Sequence, residues 1–307
     1  MKDLLVLDAG CKTAGMPAEP PLPTPDQVLG ALDRTGFLFE QRVAAILGNR
    51  TDTGWAFQDQ DTGTSREIDI YSNSFAYWPD GSDTRLHWTV LGECKNFQWP
   101  WVALTKPWER ESGYLDMPEL LITTATRIEL KADQGWYFFR GKPNFATKYE
   151  GVRFRRQPRA VQLVKLNKKS GGWETHSSDI FNEVTYPLAK AVSFLGQEFK
   201  MRDDSDDHLK ALRREVHLLF PAIFLSSPIY AVSASDPDPK VEETKHVTLE
   251  RRLSSKSVQG RFRYDVVHVD GIKEWYNGHV LGVVRFFAEE LKLPWERVKG
   301  RGVEELA

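Results

Sequence analysis

The chain reads as an α/β protein, and three observations predict it. A capped helical start at Thr24-Pro25-Asp26-Gln27 leads into a helical apolar pattern over Phe37 to Leu47. Three strand-like segments follow before residue 96. Helical patterns and strand-like runs then alternate again from Leu188 onward.

Each element follows from local chemistry. Residues 9–23 are rich in Pro and small side chains and cannot bury much surface, so residues 1–23 read as a disordered or loosely docked tail. Thr24 then offers an N-cap, Pro25 suits the first helical position and Gln27 completes a capping box. This helix breaks near Thr35-Gly36, and a second one runs from Phe37 to about Leu47. Strands are expected over Gly54 to Gln60, Glu67 to Trp78 and Leu86 to Lys95, with turns at 61–64 and 79–83. Within 101–175 the pattern predicts strands at Gly135 to Arg140 and Val161 to Leu166. Leu188, Ala191, Val192, Leu195 and Phe199 recur at helical spacing. So do Leu209, Leu212, Val216 and Leu219, which predicts two helices around the acidic run Asp203 to Asp207. Strands are expected at 222–232, 245–253 and 261–269, and a closing helix carries Trp275, Val280, Val283, Val284, Phe287 and Leu291.

Composition narrows the function. The chain has 307 residues, 41 % hydrophobic and 27 % charged, enough for a sizeable core. Its two cysteines, Cys11 and Cys94, cannot supply a disulfide framework or a four-thiolate zinc site, so a reducing, cytoplasmic setting is expected. The acidic, short Met1 to Gly10 stretch does not suit a signal peptide, and the longest apolar run, Leu218 to Val232, is broken by prolines and serines; no membrane partner is expected. None of the seven histidines forms a His-x-x-x-His pair, and phosphate-loop, dinucleotide and Gly-x-Ser-x-Gly motifs are missing.

Charge is unevenly placed. The net charge is −2, yet Arg127 to Lys169 holds twelve Lys or Arg against three acids, a local +9. Aromatic residues interleave with these cations, a mixture suited to phosphates and bases. Arg140, Lys142, Lys148, Arg153, Arg155, Arg156 and Arg159 are therefore the candidate nucleic-acid contacts.

A second constellation points to chemistry. On the helix from Phe37 to Leu47 the apolar stripe is Phe37, Val43, Ala44 and Leu47, and Glu40 falls on it, where a carboxylate needs a partner or a cation. In the second strand, period two puts Ile68 and Ile70 on one face and Glu67, Asp69 and Tyr71 on the other. Glu93 and Lys95 share a face at the end of the third strand. Asp69 and Glu93 on neighbouring strands can hold a hard divalent cation with oxygen ligands, the Cys94 carbonyl adding another. Lys95 can orient or deprotonate a water, or neutralise charge developing on a phosphoryl oxygen. Acid-x-Lys occurs six times in the chain, but only Glu93-Cys94-Lys95 ends an apolar strand that follows a strand acid by 24 residues and a helical Glu by 53.

This order, a helix with Glu40, a hairpin strand, the Asp69 strand and the Glu93-x-Lys95 strand, resembles the PD-(D/E)XK nuclease superfamily with its restriction-endonuclease-like fold. The run Gly36 to Leu47 is similar to the first helix of its Mrr-like and Holliday-junction-resolvase-like branches. The resemblance covers about residues 30–100, and Ile68 stands where the superfamily often has Pro. It implies an αβββαβ core with a mixed sheet flanked by helices, here carrying a basic β-rich insertion over about 101–175 and completed by 176–307 within one nuclease-like domain, 24–307. It also implies that Asp69 and Glu93 bind Mg²⁺ (or Mn²⁺), that Lys95 assists the water and that Glu40 supports the metal site. Gln98 is an additional polar candidate. The expected function is a metal-dependent nuclease, with DNA favoured over RNA and endonucleolytic cleavage over exonucleolytic, both alternatives staying open, and with a homodimer as a candidate assembly. The alternative is a nucleic-acid-binding or regulatory protein that keeps the fold without cleaving.

Overall fold

The computed structural model describes residues 22–77, 83–107, 120–123, 128–132, 135–139, 159–176, 180–204 and 213–290. Almost all of the expected tail and the acidic loop beyond Asp204 lie outside these residues.

Helix α1 (Pro25–Thr35) starts as its sequence dictates. The Thr24 hydroxyl accepts the Gln27 N–H and the Gln27 side chain accepts the Thr24 N–H. It ends at Gly36, whose φ of +90° is a left-handed conformation that favours glycine. Helix α2 (Phe37–Leu47) follows at once and buries Phe39, Val43, Ala44 and Leu47. The stripe therefore runs from Phe39. Phe37, expected on it, lies two residues or roughly 200° away and is exposed. Glu40 sits at the edge of the stripe, half-buried.

Strands β1 (Thr51–Gln58), β2 (Ser65–Tyr77) and β3 (Asp83–Lys95) form an antiparallel meander. Next come β4 (Trp101–Lys106), β5 (Leu120–Thr123), β6 (Ile128–Ala132), β7 (Gly135–Phe139), β8 (Arg159–Lys169) and β9 (Gly172–His176). Helix α3 (Tyr186–Asp204), entered through a π-helical turn, crosses to β10 (Arg213–Leu225), which lies parallel to β3 along its whole length. Strands β11 (Ile229–Ser233), β12 (Val241–Thr244), β13 (His246–Ser254) and β14 (Gln259–His268) follow, then α4 (Ile272–Trp275) and α5 (Leu281–Glu290) joined by a π-helical turn.

The main sheet has twelve strands in the order β1-β2-β3-β10-β14-β13-β8-β4-β11-β12, with β5 on β10 and β9 on β8; β6 and β7 pair separately. It cannot be flat. Only residues 226–228 join β10 to β11, a reach of about 14 Å, whereas five strand spacings in a flat sheet would separate them by about 24 Å. The sheet curls around α3, whose Leu188, Ala189, Ala191, Val192 and Leu195 pack against side chains from both halves of the ladder, including Leu91, Trp101, Leu163 and Tyr264. A second core lies on the other face, where α2, α4 and α5 cover Ile70, Val90, Phe220 and Phe224.

Three expectations are corrected. The helix predicted over 209–219 is instead strand β10 from Arg213. Leu218, Phe220, Ala222 and Phe224 enter one core and Leu219, Ile223 and Leu225 the other, so burial on both faces erased the alternation that marks a strand. Pro221, which lacks an N–H, falls where β10 has left β5 and not yet met β14. Next, β4, β8 and β9 belong to the main sheet, so 101–175 is not wholly an insertion. Finally, Ile68 and Ile70 enter opposite cores, which means β2 breaks its alternation at Asp69. Among the described residues, no helix is long and apolar enough to cross a membrane.

Candidate active site

The break at Asp69 builds the site. The β2–β3 ladder ends at Ile70↔Gly92, and the next residue on each strand is Asp69 and Glu93. Past that point the Asp69 carboxylate takes over from the backbone: its Oδ2 accepts the Cys94 N–H at 2.7 Å. Across β1, the ladder pairs Thr53↔Ile70 and Trp55↔Ile68 bracket Gly54, whose φ of +67° again favours glycine. Strand β3 continues on β10 as far as Lys95↔Leu225, so β2 and β3 part where the acids stand.

Gly92 marks how tightly this junction is packed. A Cβ there would stand 2.6 Å from Phe224 Cε2 and 2.9 Å from Ile70 Cβ. Gly92→Ala should therefore cost about 1–3 kcal/mol by overpacking, read as a lower urea midpoint; an unchanged midpoint would show that β2 and β10 can part freely.

The helix supplies the third acid. A Cβ on Gly36 would lie 4.0 Å from Glu40 Oε1 and 3.8 Å from Asn96 Cβ, so the first turn of α2 rests against the residue after Lys95. Asn96 fixes that contact: its amide donates to the Asp33 carbonyl and its Oδ1 accepts the Ser226 hydroxyl at 2.8 Å.

Glu40, Asp69, Glu93 and Lys95 thus share one field. Burial, then the nearby Asp69 carboxylate, pushes Glu40 up to about 6, against the pull of Lys95. Burial raises Asp69 too, although the Cys94 N–H and Lys95 oppose it. Glu93, 5 % exposed, is pushed up to about 7, chiefly by burial. Lys95 Nζ donates to Glu93 Oε2 at 2.8 Å. Burial alone would lower the Lys95 ammonium, but the surrounding carboxylates outweigh it and raise it, so Lys95 stays charged at neutral pH. Burial also pushes the Cys94 thiol well up, which leaves it inert.

Sequence reasoning singled out these four residues and missed Glu67. Its carboxylate raises both Glu40 and Asp69. The i, i+2 spacing from Asp69 was the available signal. Gln98 is exposed in the loop after Lys95. Of the basic candidates, Arg140, Lys142, Lys148, Arg153, Arg155 and Arg156 lie outside the described residues. Arg159 is half-buried and donates to Glu250 at 2.9 Å, so it holds β8 to β13.

The donor set suits a hard cation. Asp69 spends Oδ2 on Cys94 and Glu93 spends Oε2 on Lys95, and each carboxylate keeps a second oxygen. Among the described residues no three acidic, imidazole or thiol groups form a ready cage, but Mg²⁺ commonly takes one or two carboxylates, completing its shell with water and substrate phosphate.

The raised Glu93 carries a sign for stability. The folded state holds its proton up to about pH 7, while an unfolded glutamate releases it near 4.5. Without a divalent cation, stability should fall as pH rises from about 4.5 to 7, by on the order of 2–3 kcal/mol. Urea titrations in EDTA at both ends of that window should show the loss in wild type and a flatter profile in Glu93→Gln; an equally steep profile in the variant would assign the slope elsewhere.

Compared with family models, with curated proteins and with solved structures, the chain matches none.

Proposed function

We propose that the chain is a metal-dependent nuclease that hydrolyses phosphodiester bonds, with DNA the favoured substrate and Mg²⁺ or Mn²⁺ the favoured ion. The observation that carries this reading is that Asp69 holds the Cys94 N–H and Lys95 pairs with Glu93 where β2 and β3 part, with Glu40 of α2 near enough to feel their charge. The elements α2, β1, β2, β3, α3 and β10, in that chain order but with β4–β9 between β3 and α3, and with β10 parallel to β3, support it as an αβββαβ core of the restriction-endonuclease-like kind.

In this reading Asp69 and Glu93 hold the ion and Glu40 supports them. Bound there, the ion supplies Lewis-acid charge to the phosphate. Lys95, whose ammonium the surrounding carboxylates keep charged, donates to the attacking water or to the phosphoryl oxygen that gains charge. Glu40, a carboxylate beside Asp69 raised by burial in the metal-free chain, is the acceptor assigned to the water's proton in this reading. A reducing, cytoplasmic setting accords with Cys94 as a buried free thiol.

The test is cleavage of linear, supercoiled, branched and single-stranded DNA, and of RNA, with Mg²⁺ against an EDTA control. Mg²⁺-dependent products support the reading. Binding in EDTA without cleavage of any substrate would replace it with the non-cleaving, regulatory alternative.

A further inference from the structure

Beyond the acids, the loop that follows Lys95 carries aromatic side chains. Trp99 meets Trp173 of β9 edge to face, with ring centroids 5.4 Å apart and planes at 82°. Trp173 is 53 % exposed, and Lys168 stands directly opposite it in the β8–β9 ladder, so both project from one side of the hairpin. Lys168 is exposed as well.

This hairpin is fixed to the site's own loop. The Pro100 carbonyl accepts the Leu166 N–H at 2.9 Å. Lys165 Nζ lies over the rings of Phe97 and Trp101, at 5.4 and 5.3 Å, while donating to Glu183 at 3.0 Å. Trp99 follows Lys95 by four residues, so its Cα lies within about 14 Å of that of Lys95.

We infer that Trp173, Trp99 and Lys168 form a stacking site for an unpaired nucleotide of the strand whose bond the candidate site cleaves. An exposed indole set perpendicular to a second indole keeps at least one flat face that the other does not cover, and the lysine opposite takes the adjoining phosphate. Bases inside a duplex keep their faces covered, so the fitting partner is a single strand, a frayed end or a branch. The inference rests on the nuclease reading and adds to it a class of substrate.

The experiment measures binding by the full chain in EDTA to labelled single-stranded DNA, single-stranded RNA and a duplex closed by hairpins. Trp173→Ala should weaken single-strand binding about 5- to 150-fold, Trp173→Phe should recover most of it, and the closed duplex should bind as before. Lys168→Glu should weaken the same binding and flatten its salt dependence by about one unit of slope. The DNA and RNA arms tell which strand is taken. Wild-type single-strand affinity in Trp173→Ala overturns the site, as does failure of wild type to bind either single strand. If Trp173→Ala instead dissociates an oligomer in sedimentation and leaves strand affinity unchanged, the face belongs to a second copy and the inference also fails. The outcomes separate the two readings: strand binding lost in Trp173→Ala with no cleavage by wild type keeps the stacking site and removes the nuclease, whereas cleavage with unchanged Trp173→Ala affinity does the reverse.

Discussion

Lys95→Ala should lower Mg²⁺-dependent cleavage by at least about 100-fold while leaving nucleic-acid affinity in EDTA nearly unchanged. The ammonium lies against Glu93 at the parting of β2 and β3, and the carboxylates around it keep it charged. In the proposed mechanism its work is done on charge that appears only in the transition state, so its loss should fall on turnover more than on binding. Asp69→Asn should stop cleavage by a different route. It removes a ligand charge, so higher Mg²⁺ concentrations are required, and metal-free binding should tighten because one anion facing the phosphates is gone. Cleavage assays run across Mg²⁺ concentration beside binding titrations separate the two effects. Mg²⁺-dependent cleavage retained by both variants would falsify the site.

A comparable effect on folding is expected at Lys190→Met, on the order of 3–5 kcal/mol of lost stability. Lys190 projects from α3 into the turn between β1 and β2, where its ammonium lies 2.9 and 2.7 Å from the two oxygens of Asp59 and 3.2 Å from Asp61 Oδ2. Arg66 also pairs with Asp59, and the Tyr186 hydroxyl donates to Asp61 at 3.1 Å. Asp59 is fully buried. Burial would raise its carboxyl, but the Lys190 hydrogen bond, the Asp61 N–H and Arg66 hold it well below the ordinary range. Such a depressed group stabilises the fold above the unfolded value and loses that contribution as pH falls toward the folded one. Without Lys190, Asp59 remains a buried carboxylate with one cationic partner. The loss should therefore be full near pH 7 and shrink in acid, where Asp59 can take up a proton. Urea denaturation of Lys190→Met, Asp59→Asn and the double variant measures the coupling. Additive effects of the two single changes would show that the pair acts as two independent groups.

Much of the first hundred residues was legible because their structure is set locally. The Thr24 capping box, the glycine stop at Gly36, the α2 pattern and three short strands depend on neighbours in sequence, and the structure forms them within a few residues of the expected bounds. Glu93 and Lys95 were legible together because residues two apart on a strand share a face. Where the period failed, the cause was tertiary. Phe37 lies off the buried stripe because contact with the sheet selects Phe39. The alternation of β2 breaks at Asp69, whose carboxylate accepts the Cys94 N–H, a contact across strands that no repeat in the sequence records.

By itself, the sequence determined an α/β protein, an amino-terminal helix pair and meander, and the identity and chain order of Glu40, Asp69, Glu93 and Lys95, the four residues of the proposed site. Only the tertiary structure decided that the Asp69 carboxylate reaches the Cys94 N–H beside the Glu93–Lys95 pair, that Glu40 and Glu67 lie near enough to feel these charges, and that β10 is a strand. The same holds for the curl of the sheet around α3, for Asp59 meeting Lys190 from 131 residues away, and for Trp99 meeting Trp173. The physical reason is one of range. Caps, turns and strand alternation come from sterics and hydrogen bonds within a few residues. A buried charge, a doubly covered strand or an aromatic pair between distant segments exists only once chain closure has brought its partner and excluded the water that would otherwise solvate it.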